Sequence, residues 1–221
     1  MEKIPFDLPT VMERIRKAVQ PFPKAAMFEL AEKGYNTLFE QLIGCIISIR
    51  TLDEVSLPVT LRLFADAHTP EQIAQLTPQK IQQIIAPSSF AERKAGQILA
   101  IAQQVVAQYQ GDLPCDEQVL LSFNGVGVKC AHLALGVACG QPAISVDIHV
   151  HRITNRWGYV STATPEQTTL ALEQILPRAY WIEINQILVP FGKHICTLHL
   201  PHCSTCPIQE TCRQIGVTSH L

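Results

Sequence analysis

Four of the eight cysteines, Cys196, Cys203, Cys206 and Cys212, stand in the pattern C-x6-C-x2-C-x5-C within seventeen residues. Thiolates at that density, in a chain without secretion features, are more often metal ligands than disulfide partners. Structural zinc sites usually join two close pairs, and only one C-x2-C pair is present; four thiolates on one loop also suit a [4Fe–4S] cube. On spacing alone both metals stand. The other four cysteines, Cys45, Cys115, Cys130 and Cys139, are scattered among apolar residues and read as plain buried thiols.

Upstream, Asn124-Gly125-Val126-Gly127 separates two helical segments between Asp116 and Gly140. Two glycines two apart permit positive φ and close backbone approach. The amides of Gly125, Val126 and Gly127, beside a helix N-terminus, would form an anion site that suits a DNA phosphate. An ordinary interhelical turn has the same pattern. Lys129 falls in the first turn of the second helix, at the positive end of its macrodipole. That position lowers the amine's pKa, and a neutral amine is what a nucleophile requires; a solvated lysine is the alternative. Asp147 ends Ile144-Ser145-Val146 and precedes a helix expected over Ile148 to Trp157. It reads as an N-cap, which keeps the carboxylate ionised and able to act as a catalytic anion. His149, His151, Arg152 and Arg156 follow as a local basic cluster, either phosphate contacts or a solvated face.

The elements that must hold these residues are helices. Thr69-Pro70, Thr77-Pro78 and Thr164-Pro165 each pair an N-cap with proline at the first helical position. Gln72 and Gln167 complete capping boxes, and Ser89 with Glu92 predicts another, opening a long helix through Lys94, Ile98, Ile101, Val105 and Val106. Leu38 to Ile49 is apolar nearly all round, so a central buried helix is expected. The best strand candidate is Ala143 to Val146, and it is short. The fold class is all-α, with Gly140-Gln141-Pro142 as the expected boundary between two parts. At 221 residues and 47% hydrophobic content, the chain can bury one generous core or two small ones. The apolar run Leu42 to Ile49 is too short to span a bilayer, and no basic-then-apolar signal segment opens the sequence, so a soluble cytoplasmic protein is expected. The net charge of -2 weighs against a protein that coats DNA nonspecifically, and leaves room for one small basic face.

Phe123-Asn124-Gly125-Val126-Gly127-Val128-Lys129, then Val146-Asp147-Ile148-His149-Val150-His151-Arg152, then the four-cysteine run, resemble the endonuclease III family. That family is the iron–sulfur branch of the helix–hairpin–helix glycosylases, and the resemblance extends from about Leu38 to Cys212. It implies a two-domain α fold: a six-helix barrel with the helix–hairpin–helix over residues 31–141, and a discontinuous iron–sulfur cluster domain over 1–30 and 142–221. It implies a [4Fe–4S] cluster on Cys196, Cys203, Cys206 and Cys212, structural or DNA-sensing rather than the seat of base chemistry. It also implies base-excision repair by a bifunctional glycosylase and abasic-site lyase, with Lys129 and Asp147 catalytic. The partner would be double-stranded DNA carrying a damaged base, an oxidised pyrimidine in the usual case, or an abasic site. A monomer in a bacterial cytoplasm, at the nucleoid during repair, would fit that work.

Departures from the family pattern bear on the substrate. Arg50 stands where relatives commonly place glutamine to fill the gap left by a flipped nucleotide, and its donors suit guanine; on the residues alone it reads as a cation at a helix C-terminus. Phe90 in Ser88-Ser89-Phe90-Ala91 takes the place of an aliphatic wedge, or is core. Asn124 stands where proline is common. The loop Thr197 to His202 has no lysine or arginine, and His199 and His202 substitute for them only when protonated. DNA contacts are thus expected from Gly125, Val126, Gly127, Arg50, Phe90, His149 and Arg152. Two other readings stay open: a glycosylase of shifted lesion specificity, for alkylated purines or another base, and a nonenzymatic DNA-binding module. The second needs neither Lys129 nor Asp147.

Overall fold

The computed structural model describes residues 4–221, and among these the secondary structure is helical, with no strand. In chain order the helices are α1 (Leu8–Val19), α2 (Ala26–Glu32), α3 (Leu38–Ser48), α4 (Asp53–Asp66), α5 (Pro70–Ala74) and α6 (Pro78–Ile85). They continue with α7 (Ala91–Tyr109), α8 (Glu117–Ser122), α9 (Val128–Cys139), α10 (Ile148–Trp157), α11 (Pro165–Ile175) and α12 (Glu183–His194). Two compact units result: residues up to Ala25 with Ile144–Leu221, and Ala26–Ala143. The strand expected at Ala143 to Val146 is not formed. Among the described residues it has no second strand to pair with.

In the second unit α3 is the axis. Leu38 through Ile47 are all buried, and α2, α4, α7 and α9 pack around them. Each large aliphatic side chain so buried contributes about 1.5–3 kcal/mol relative to exposure. Thr37 and Glu40 open this helix with a reciprocal capping box that the sequence reading did not single out. Gly44 permits close packing, because a Cβ there would lie 2.7 Å from Leu30 Cδ2 on α2. Cys45 on α3 and Cys130 on α9 are buried and share a hydrogen bond, the main reason Cys130 is pushed well above an ordinary thiol.

The Thr69 capping box and the Thr77 cap form as expected. Thr164 also caps its helix, but the Gln167 side chain reaches back to the amide of Ala163 rather than of Thr164. The box expected at Ser89 and Glu92 is absent. α7 begins after Phe90, which sits in the left-handed region with φ 59° and makes no side-chain cap. The Ser89 amide donates instead to Thr51 Oγ1, a tie from another loop that fixes this entry.

Cys115 and Cys139 are not plain buried thiols. They are joined in a disulfide, with Cα atoms 6.2 Å apart, Cys115 exposed and Cys139 half-buried. The fold-back of α8 against α9 brings their Cα atoms within bridging distance.

In the first unit α12 packs against both α1 and α10. Val11, Met12, Ile15, Val150, Ile153, Trp157, Leu188 and Phe191 form the centre of its core. Gly192 lets the α10 side chains cross, since a Cβ there would lie 2.5 Å from His149 Nδ1.

Candidate functional site

The hairpin is built from both sides. Asp116 accepts from the Val119 amide at 3.1 Å and starts α8; Gly127 is the N-cap of α9 and offers no side chain. Phe123 and Val126 are buried, and the Val126 amide closes the turn onto the Phe123 carbonyl at 3.1 Å. Val126 therefore anchors the hairpin with its side chain and closes the turn with its amide. No described residue accepts from the amides of Gly125 or Gly127, so those two donors remain for an anion. Gly125 has φ 81°, and a Cβ would stand 2.7 Å from Gln97 Nε2. That Gln97 amide donates to the Asn124 carbonyl at 2.8 Å, so α7 props the hairpin from beneath. Glu117 Oε1 and His132 Nε2, 3.0 Å apart, tie α8 to α9. Lys129 is half-buried, second in α9.

Beside the hairpin, Arg50 and Phe90 project from two loops. Both are non-glycine residues at positive φ, 53° and 59°. Phe90 is 58% exposed, so it is not core, and the Arg50 guanidinium lies 5.9 Å from its ring centre. With Ile49, Arg93, Lys94, Gln97 and Gly125 they line a cavity of about 260 Å³.

In the other unit Asp147 caps α10, accepting from the amides of His149 and Val150, both at 2.9 Å. These two bonds fix the carboxylate at the start of α10. The basic cluster of α10 turns inward. Arg156 is buried and donates to the carbonyls of Thr197 at 2.6 Å and Leu198 at 2.7 Å, and to Cys196 Sγ at 3.3 Å. Arg152 donates to the carbonyls of Gly192 at 2.9 Å and Cys196 at 3.0 Å and lies 3.1 Å from His149 Nδ1. His151 pairs with Thr168 Oγ1 at 2.7 Å. The Arg152 and Arg156 side chains hold the end of α12 and the loop after it, and His149 lies against Arg152. The unpaired carbonyls of a helix C-terminus are their natural partners.

That loop carries the cysteines. Cys196, Cys203, Cys206 and Cys212 line one apolar cavity with Trp157, Phe191, Ile195 and Ile208, and none of the four is in a disulfide. Cys212 Sγ lies 3.6 Å from the Arg156 carbonyl. Burial, then the neighbouring thiolates, push Cys206 up to about 12. Among the described residues no three His, Cys, Asp or Glu side chains gather as for a single metal ion; the sulfurs surround a space. Four thiols on an apolar wall, with a guanidinium donor on one sulfur, are a donor set that fits an iron–sulfur cube.

The model of the HhH-GPD superfamily, base excision DNA repair proteins, matches residues 43–178. The chain belongs to this family. Among similar HhH-GPD proteins is Endonuclease III homolog 2, chloroplastic, of Arabidopsis thaliana, 42% identical over 183 residues, covering 79% of this chain and 47% of that protein. The chain thus spans about half the length of that relative. Endonuclease III of Thermotoga maritima is 38% identical over 174 residues, with 79% and 82% covered. Among solved structures, a non-covalent Endonuclease III–DNA complex superposes with TM-score 0.75 at 27% identity, covering 92% of this chain and 95% of that one. A trapped covalent Endonuclease III–DNA intermediate, an estranged-adenine complex, has the same score and identity.

Sequence reading missed Gln97 beneath the hairpin and the inward role of Arg156. It also placed Lys94 in phase with Ile98, Ile101 and Val105 without assigning it a task. A lysine on an otherwise apolar stripe was the available signal.

Proposed function

We propose that this HhH-GPD protein is a bifunctional DNA glycosylase and abasic-site lyase of base excision repair, acting on oxidised pyrimidines in double-stranded DNA. The observation that carries this reading is Lys129 in the first turn of α9, directly after a hairpin that presents the Gly125 and Gly127 amides. A phosphate on those amides would seat the strand, and a damaged nucleotide must leave the stack to be reached. The amine of Lys129, in its neutral form, attacks the sugar C1′ as the base departs with the glycosidic electron pair. Asp147, its carboxylate oriented by the α10 amides, offsets the positive charge that develops on the sugar and accepts a proton from the attacking amine. Ring opening gives a Schiff base; loss of a C2′ proton then expels the 3′ phosphate by β-elimination.

Cys196, Cys203, Cys206 and Cys212 would hold a [4Fe–4S] cluster. When bound, it would cross-link the segment after α12 and take no part in base chemistry. Arg156 would position that segment and donate to the Cys196 sulfur.

Borohydride trapping on a duplex with one abasic site tests the reading. Wild type should form a covalent adduct and Lys129→Ala should not. No adduct from wild type that still binds the duplex would overturn the lyase assignment. The exposed Phe90 beside Arg50 supports a second reading, a shifted lesion preference. A panel of oxidised-pyrimidine and alkylated-purine duplexes separates the two by which base is released.

A further inference from the structure

We propose that Lys94 is a positioning residue that locks the Arg50 and Phe90 loops together for recognition of a DNA gap. The inference rests on the repair reading above. Lys94 is 4% exposed, within an otherwise apolar stripe of α7. Its ammonium has three protons and three acceptors: the carbonyls of Ile47 at 2.6 Å and Ile49 at 2.8 Å, and Thr51 Oγ1 at 3.1 Å. The two carbonyls are at the C-terminal end of α3, where the ladder has no further amides to supply. Arg50 lies between Ile49 and Thr51, so its backbone is held on both flanks. Thr51 Oγ1 in turn accepts from the Ser89 amide at 3.1 Å, the residue before Phe90. The Lys94 amide donates to the Phe90 carbonyl at 3.0 Å. One residue thereby fixes both loops, each with a non-glycine residue at positive φ.

Such backbone conformations persist only where the surroundings over-determine them. A buried ammonium is costly unless every proton is paired, and an apolar residue in phase with Ile98 would complete the stripe without that cost. What the ammonium adds is a rigid spacing between Arg50 and Phe90, which keeps the guanidinium over the ring. Two side chains that enter a duplex together need that spacing set before contact, since ordering them on the DNA would weaken binding.

The test compares wild type, Lys94→Met and Thr51→Val, the last removing only the hydroxyl that links the loops. Two quantities are read: the ratio of affinities for abasic-site and intact duplexes, and amide exchange at Ser89. Each variant should lower the ratio about tenfold, the effect of one or two lost hydrogen bonds, while affinity for intact duplex stays within about twofold. Thr51→Val should also speed exchange of the Ser89 amide. If Lys94→Met does not fold, Thr51→Val alone decides. An unchanged ratio, or an equal loss on both duplexes as from general loosening, overturns the proposal. A wild type without preference for the abasic duplex overturns the repair reading, and this proposal with it; a preference that both variants retain overturns this proposal alone.

Discussion

Lys94 leaves a signature in stability as well as in binding. Burial pushes its ammonium down to about 8 from an ordinary value of 10.5. Between those values the unfolded chain holds the proton and the folded chain has released it, so unfolding takes up a proton and stability rises with pH. Below about 8 the group is charged in both states and adds no slope. The urea midpoint of wild type should therefore climb more steeply than that of Lys94→Met from pH 8 to 10.5. Parallel curves would show that Lys94 does not release a proton in that window. The position of this lysine was legible, in phase with Ile98 and Ile101, but its acceptors were not, because they lie more than forty residues away in the chain. Arg152 and Arg156 teach the same point. A run of basic residues has no sign of in or out, and the carbonyls after α12 settled the direction.

At the scale of elements, the helix–hairpin–helix is enclosed by its own covalent brace. The Cys115–Cys139 disulfide has a sequence separation of 24, and closing a loop of that length stabilises by about 3 kcal/mol on the chain-entropy account. Cys115→Ser should lose stability of that order in urea, and dithiothreitol should lower wild type toward the variant while leaving the variant unchanged. Equal midpoints for wild type with and without reductant would show that the brace does not stabilise the fold. The helices here were readable: Asp116 caps α8, and glycines mark the turn. The bridge was not, because the hairpin pattern does not record that Cys115 and Cys139, at its two outer ends, come within bonding distance.

For the whole molecule, two units each carry a core, and the chain leaves the first after Ala25 and returns at Ile144. The packing of α1 on α12 joins the two ends of the first unit. In that same unit the four cysteines line their cavity against Trp157 and Phe191 of the core. A bound cluster would add its binding energy to folding. Purified protein should be brown, with absorption near ~400 nm as thiolate-ligated iron gives, and Cys203→Ser should lose both colour and thermal stability. A colourless protein that contains zinc would replace the cluster with a structural zinc site.

The sequence by itself determined what is local. Threonine–proline caps, the apolar stripe of α3, the glycine hairpin, the Asp147 cap and the cysteine spacing are each written within a few residues, because helix geometry relates neighbours three or four apart. Tertiary structure alone decided the start of α7 at Phe90, the disulfide, the inward turn of Arg152 and Arg156, and the partners of Lys94. Each of these depends on which distant group satisfies a buried donor, acceptor or thiol, and that is fixed only when the helices have packed.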